Sequence, residues 1–148
     1  MRLQSAIFML EDTLLRGDGT AREGLDMVLS IFKMEGVWLY AVTANTHAEG
    51  EAKLKRAGLS DYFRGVLSPD IARCSADSGT MFERAMKRLL SDKQDTVVFA
   101  GRLAAIENAK EAGFRTVAVS GAADADEWNE MTAAATEVLE RYEDYLAE

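Results

Sequence analysis

Residues 6–15 read Ala-Ile-Phe-Met-Leu-Glu-Asp-Thr-Leu-Leu, an apolar run that leads into the polar residues Glu11, Asp12 and Thr13. A short apolar run of this length is typical of a buried strand. We therefore predict a first strand over residues 5–10. The three polar residues at its end are the first candidates for a functional site.

Strands and helices alternate along the rest of the chain. Runs rich in β-branched or aromatic residues predict further strands at residues 37–42, 63–67, 96–100 and 116–120. Apolar residues at helical spacing predict helices at residues 24–34, 46–57, 80–90 and 103–112. This order indicates βαβ units, and so predicts an α/β fold with a five-stranded parallel sheet and helices on both faces.

The composition predicts one domain spanning residues 1–148. The chain is 48% apolar, enough for a proper core, and its single Cys and single His leave no disulfide framework or multi-His metal site. No apolar run approaches the roughly 20 residues that span a bilayer, and the N-terminus lacks a signal-peptide pattern. We therefore expect a cytoplasmic protein.

The net charge of −8 comes from the C-terminal segment, because residues 124–148 carry nine acidic side chains and one basic side chain. The preceding residues carry 16 of each sign and are neutral. No basic surplus is present to neutralise phosphate groups, so we expect neither nucleic acid nor an anionic membrane as a partner.

The same acidic segment predicts an additional amphipathic helix over residues 124–146. One apolar stripe would contain the residues Trp128, Met131, Ala135, Val138, Leu139, Tyr142 and Leu146. This stripe either packs on the domain's own sheet or forms a contact with a second copy or another protein. Aromatic residues often anchor interfaces, which makes Trp128, Tyr142 and Tyr145 the interface candidates.

Residues 6–13 resemble the first motif of the haloacid dehalogenase (HAD) superfamily, hhhDxDGT, in which h is apolar. The resemblance extends from residue 4 to about residue 120. Within the superfamily the chain resembles the β-phosphoglucomutase-like members, which implies a three-layer Rossmannoid sandwich. In that motif the first Asp attacks phosphorus and the second handles the leaving-group proton. The nucleophile falls on Met9, the second Asp on Glu11, the Gly on Asp12 and the Thr on Thr13.

The positions of three further family motifs can be located on this chain. Thr43 stands where a family hydroxyl and the following amide hold the phosphoryl group, so the resemblance makes Thr43, Ala44, Asn45 and Arg102 anion-binding candidates. The family's phosphate-binding Lys falls on Ala76. Its metal-binding acid falls on Gly101. Residues 112–121 are the strongest stretch of the match and concern packing rather than chemistry.

These departures argue against the family's reaction. A thioether at Met9 cannot replace a carboxylate as a nucleophile or as a ligand for Mg²⁺. We therefore predict no catalytic residue, no metal site and no cofactor, with Glu11 paired to Arg102 in place of the metal. The alternative is that Glu11 and Asp12 bind Mg²⁺.

No cap domain fits between Thr13 and the second strand, because only about 23 residues lie between them. Two functions follow from the resemblance: a binding, interaction or regulatory module that has lost phosphohydrolase activity, or a divergent Mg²⁺-dependent phosphohydrolase acting on a phosphate ester. A receiver-like or flavodoxin-like fold shares the alternation, but Thr43 and residues 97–121 fit the HAD fold better.

Overall fold

A computed structural model describes residues 3–147 and their side chains as far as Tyr145. Six strands form one parallel sheet. They are β1 (Ser5–Met9), β2 (Trp38–Val42), β3 (Val66–Leu67), β4 (Thr96–Ala100), β5 (Arg115–Val119) and β6 (Glu137–Leu139). Their order across the sheet is β3-β2-β1-β4-β5-β6, so the first strand lies near the centre.

Helices cover both faces of this sheet. They are α1 (Leu25–Met34), α2 (His47–Arg56), α3 (Pro69–Ala72), α4 (Gly79–Arg88), α5 (Leu103–Glu111) and α6 (Ala125–Ala134). Short 3₁₀ turns occupy Ser60–Tyr62, Lys93–Asp95 and Tyr142–Ala147. The side chains of Thr46, Ser78 and Asp124 each accept a hydrogen bond from an amide in the first turn of the helix that follows. Such caps satisfy donors that a helix leaves unpaired.

Strand alternation divides the core into two layers. Ala6 and Phe8 face the layer under α1 and α2, whereas Ile7 and Met9 face the layer under α4, α5 and α6. Phe8 stacks on Phe99 of β4 with a centroid separation of 4.2 Å. The alternation places Met9 at the end of the strand on the opposite face from Phe8.

The predicted strands and the first four predicted helices are confirmed, but the number of strands is wrong. The sheet has six strands, because the predicted helix over residues 124–146 ends at Ala134 and the chain then pairs with β5. Thr116 and Thr136 each donate a backbone N–H to the other's hydroxyl at 3.0 Å. β-Branched residues favour a strand here, and β6 covers backbone groups that β5 would otherwise expose at a sheet edge.

The predicted aromatic stripe is also divided by this strand. Trp128 packs with Met131 against the core layer under α6. Tyr142 and Tyr145 pack on the opposite layer, beyond β6. Tyr142 is buried, and its hydroxyl donates to the carbonyl of Thr13 at 2.8 Å. Its side chain therefore packs in the core and is not part of an exposed surface. The side chain of Leu146, the last member of the stripe, lies outside the described residues.

The connection from β1 to α1 is a short flap rather than a cap domain. Isolated bridges join Leu15 to Glu11 and to Ala21, and Gly19 turns the chain with a positive φ of 87°. Residues 3–147 contain no cap domain between the site segments. Among these residues, none of the helices has the length and apolar character needed to cross a bilayer.

Candidate functional site

The candidate site lies where the carboxyl ends of β1, β2 and β4 meet. Parallel strands in an open α/β sheet bring their following loops together at this edge, the usual ligand position in such folds. The structure assembles residues 9–13, 43–45 and 101–102 there. These are the segments in which the sequence analysis places its candidate residues, and the contacts within them show which groups interact.

Glu11 is bound by a ring of hydrogen-bond donors at the end of β2. One carboxylate oxygen, Oε2, accepts from the Thr43 hydroxyl at 2.7 Å and from the Asn45 side-chain amide at 3.0 Å. The other oxygen, Oε1, accepts from the backbone N–H of Ala44 at 2.9 Å. We call Thr43, Ala44 and Asn45 the donor cradle. Three of the four predicted anion-binding residues are thus brought together, and an anionic group occupies them.

Lys53 of α2 completes this arrangement and was missed by the sequence analysis. Its Nζ lies 3.4 Å from Oε2 of Glu11. The helix comes this close because Gly50 faces the strand end: a Cβ there would lie 2.6 Å from Cγ2 of Thr43. A glycine inside a helix costs stability relative to alanine, so Gly50 was the available clue that α2 packs closely at this point.

The contacts of Glu11 also decide its charge. Burial raises the pKa of Glu11, but hydrogen bonds from the Ala44 amide and the Thr43 hydroxyl, together with Lys53, outweigh burial and leave this pKa below its ordinary value. Hydrogen bonds to a charged form favour that form. Glu11 is therefore a carboxylate at neutral pH and an acceptor only.

The nucleophile and lysine positions are apolar. Met9 and Ala76 are both half-buried and pack against the core layer under α4 and α5, as does Cys74. Arg73, the nearest basic residue in that loop, is exposed at the end of α3 and has a positive φ of 58°. The thioether of Met9 cannot replace a carboxylate as the nucleophile that attacks phosphorus.

The metal-acid position is closed by backbone. A Cβ on Gly101 would lie 2.1 Å from the carbonyl oxygen of Asp12. Asp12 itself has a positive φ of 64°, a conformation that Asp adopts more readily than most residues. The hydroxyl of Thr13 accepts from the N–H of Gly101 at 2.9 Å and ties the two loops together. Only glycine fits at position 101 in this arrangement.

The predicted pair between Glu11 and Arg102 is wrong. Arg102 donates from Nε to Glu127 of α6 at 3.0 Å, and its Nη1 lies 3.9 Å from Asp12. Glu127 also accepts from the backbone N–H of Leu103 at 2.9 Å, at the start of α5. Arg102 therefore belongs to the junction of α5 and α6, because Glu127 offers it a closer carboxylate than Glu11 does.

The site does not fit Mg²⁺ as its residues now stand. Mg²⁺ requires near-octahedral oxygen ligands, usually including one or two carboxylates. The two family ligand positions hold a thioether and a glycine, while Glu11 is already bound by the donor cradle and Lys53. Residues 3–147 contain no group of three or more His, Cys, Asp or Glu side chains placed to hold a metal ion.

A groove of about 700 Å³ opens beside Glu11, between the flap and α2. Its charged lining residues are Glu11, Asp12, Arg16, Asp18, Lys53 and Arg56. Three carboxylates and three cations thus face one groove, so its charge is balanced while Glu11 is ionised. Glu11 and Lys53 line this groove, whereas Thr43, Ala44 and Asn45 do not.

Comparisons with known proteins agree with this geometry. The sequence profile of the haloacid dehalogenase-like hydrolases matches residues 4–113. The chain is 29% identical over 120 residues to "Probable phosphatase IndB" of Dickeya dadantii (strain 3937); the match covers 81% of this chain and 52% of that protein. The chain therefore spans about half the length of this curated relative.

Solved structures share the fold at low identity. A Thermotoga maritima protein assigned as a beta-phosphoglucomutase superposes with a TM-score of 0.83 at 15% identity, covering 98% of this chain and 97% of that one. The HAD phosphatase from Thermococcus onnurineus gives 0.74 at 21% identity, covering 86% and 57%. Because the matching profile covers residues 4–113, about three quarters of the chain, the protein belongs to the haloacid dehalogenase-like hydrolase family.

Proposed function

We propose that this chain is a HAD-fold binding module that has lost phosphohydrolase activity, a pseudoenzyme that keeps the donors of an anion site. The observation that carries the proposal is the position of Met9. The family's covalent route requires a carboxylate there, and removing a nucleophile abolishes that route. The closed backbone at Gly101 and the alanine at position 76 act on the same step, so restoring one group would not restore the reaction.

A divergent phosphohydrolase acting on a phosphate ester is the second candidate. The comparisons support this candidate more directly, because the matched family is named for hydrolases and the curated relative for a phosphatase. In this case Glu11 would act as a general base on water, and Lys53 would stabilise charge on the phosphoryl group. The two candidates differ in what they require of Glu11.

Hydrolysis of p-nitrophenyl phosphate, with and without Mg²⁺, separates the candidates. The binding-module proposal expects no hydrolysis above the buffer rate for the wild-type protein in either condition. The phosphohydrolase candidate expects hydrolysis that Glu11→Ala abolishes and Glu107→Ala leaves intact. Glu107 is a suitable control because it is an exposed carboxylate on α5, outside the site. Glu11-dependent hydrolysis would therefore overturn the first proposal.

The variant Met9→Asp provides a second test of the same point. It returns a carboxylate to the nucleophile position, while Gly101 and Ala76 remain unchanged. We expect no hydrolysis and no phosphorylated protein, since a nucleophile without the other charged groups lacks electrostatic stabilisation of the transition state. A phosphoprotein detected by mass spectrometry after incubation with acetyl phosphate would show that position 9 alone had silenced the enzyme.

A further inference from the structure

The donor cradle binds Glu11 of the same chain, a contact that the family resemblance did not predict. The resemblance assigns Thr43 and the following amide to a phosphoryl group, yet here both donate to Glu11. Asn45 adds a third donor and Lys53 adds a positive charge. Every one of these groups is of the kind that binds an oxyanion, and all four are directed at one carboxylate.

A carboxylate and a phosphate compete for such donors. Both present oxygen acceptors with negative charge, and the Thr43 hydroxyl and Ala44 amide each have one hydrogen to donate. A phosphate oxygen could not take those hydrogens while Glu11 holds them at 2.7 and 2.9 Å. Occupation of the cradle by Glu11 and by an external anion is therefore mutually exclusive.

We propose that Glu11 is an internal ligand of the donor cradle, and that a phosphate or a phosphate monoester binds there only when the Glu11 side chain moves out. This proposal rests on the proposed binding function and names its ligand class. It makes the interaction autoinhibitory: the chain carries its own competitor for the site. The cradle is complete, and Glu11 sets the concentration of anion needed to enter it.

The surroundings of Glu11 allow it to move. Its side chain is 25% exposed and lines the groove between the flap and α2, which gives it open space on that side. Removing its charge leaves three cations and two carboxylates along the groove: Arg16, Lys53 and Arg56 against Asp12 and Asp18. The groove, with a volume of about 700 Å³, then carries an excess of positive charge that includes Lys53.

The change in the dissociation constant depends on the fraction of molecules in which Glu11 has left the cradle. The apparent dissociation constant of a ligand equals its intrinsic value divided by the fraction of protein that is competent to bind. If Glu11 leaves the cradle in at most about one molecule in ten, removing Glu11 lowers the dissociation constant at least about tenfold.

The experiment is a calorimetric titration of inorganic phosphate, and separately of phenyl phosphate, into four proteins: wild type, Glu11→Ala, Glu107→Ala and the double variant Glu11→Ala/Thr43→Val. We expect Glu11→Ala to bind at least one titrant about tenfold more tightly than wild type, and Glu107→Ala to match wild type. Thr43→Val should remove the gain because it deletes a cradle donor. The titrant that gains more identifies the free anion or the ester as the ligand.

Equal affinities for wild type and Glu11→Ala, or no binding to either, would overturn the proposal. Circular dichroism establishes that each variant is folded. If Glu11→Ala does not fold, Glu11→Gln takes its place, because it keeps the side-chain volume, removes the charge and carries the same expected direction. Hydrolysis by the wild-type protein would contradict the proposed loss of activity without changing these affinities, so the two failures are distinguishable.

Discussion

The two halves of the site differ in the groups that they present. At the end of β2, the donor cradle is intact and each of its three donors contacts Glu11. At the ends of β1 and β4, Met9 packs against the core and the backbone of Asp12 fills the space beside Gly101. The half at the end of β2, which we call the open half, presents hydrogen-bond donors. The half at the ends of β1 and β4, which we call the closed half, has a thioether at position 9 and a glycine at position 101.

This difference shows that binding and chemistry depend on separable parts of the fold. Anion binding uses a backbone amide and short polar side chains at a strand end, and the sheet positions these whether or not a reaction occurs. The family's reaction depends on charged side chains, which are costly when unpaired. The two sets of groups are carried by different strand ends.

The strongest test of the closed half is Gly101→Ala. A single added Cβ would meet the carbonyl oxygen of Asp12 at 2.1 Å, so the loop after β1 must shift. We expect a loss of about 3 kcal/mol in the free energy of unfolding, measured by urea denaturation.

Gly17→Ala is the matched control for this substitution. No atom lies within 4 Å of the Cβ it would add, and Gly17 is not among the glycines with positive φ. Its unfolding free energy should stay within about 0.5 kcal/mol of wild type. A Gly101→Ala protein as stable as this control would mean that the backbone at Asp12 is not fixed against β4.

The variant Tyr142→Phe tests what holds the closed half in place. The Tyr142 hydroxyl donates to the Thr13 carbonyl, and the Thr13 hydroxyl in turn binds Gly101. Removing a buried donor leaves the carbonyl unpaired, so we expect a loss of about 1 to 2 kcal/mol by urea denaturation. Tyr62→Phe, which removes a half-buried hydroxyl near Ser30, should cost less. Equal losses would show that the Thr13 link is no stronger than an ordinary peripheral contact.

Glu11→Gln tests the open half through pH. The pKa of Glu11 is lower in the folded chain than in the unfolded one, so its carboxylate stabilises the fold above the unfolded pKa of about 4.3. That contribution is lost as the pH falls through the folded pKa. At pH 7 we expect Glu11→Gln to be less stable by about 1 kcal/mol, and the two thermal midpoints to converge as the pH falls through the folded pKa of Glu11. A difference that stays constant across this range would exclude the ionised contact.

The smallest expected effect is that of Lys53→Gln. The ammonium lies 3.4 Å from Glu11 and is 30% exposed, so water and salt screen it. We expect a loss below about 0.5 kcal/mol, which disappears in high salt. Lys55→Gln, an exposed neighbour on the same helix, is the control. A salt-independent loss would indicate that the Lys53 stem contributes packing rather than charge.

Most of the fold could be predicted from the sequence because its strands and helices have strong local periodicity. The error lay at β6, a three-residue edge strand within a segment whose apolar residues also suit a helix. Ala134 and Ala135 give no signal that the helix ends. The hydrogen bonds between Thr116 and Thr136 join positions 20 residues apart. Such long-range pairing overrides local preference and cannot be read from spacing.

The proximity of residues 9–13 and 43–45 could be predicted from the sequence, but the contacts between their side chains could not. Motif resemblance located Thr43, Ala44 and Asn45, and it identified Glu11 as the remaining carboxylate. It could not show which cation Glu11 would face, because Lys53 lies in α2 and Arg102 precedes α5, and only tertiary packing decides the pairing. The reach of a side chain across a groove depends on tertiary contacts that one sequence does not display.

The central position of β1 also governs how the chain assembles during synthesis. The hydroxyls of Ser5 and Thr96 hydrogen bond at 2.9 Å across 91 residues of sequence, and β1 lies between β2 and β4. At about 5 to 20 residues per second, the ribosome takes roughly 5 to 18 seconds to add that segment. Until β4 is synthesised, at least one edge of this apolar strand therefore lacks its partner strand.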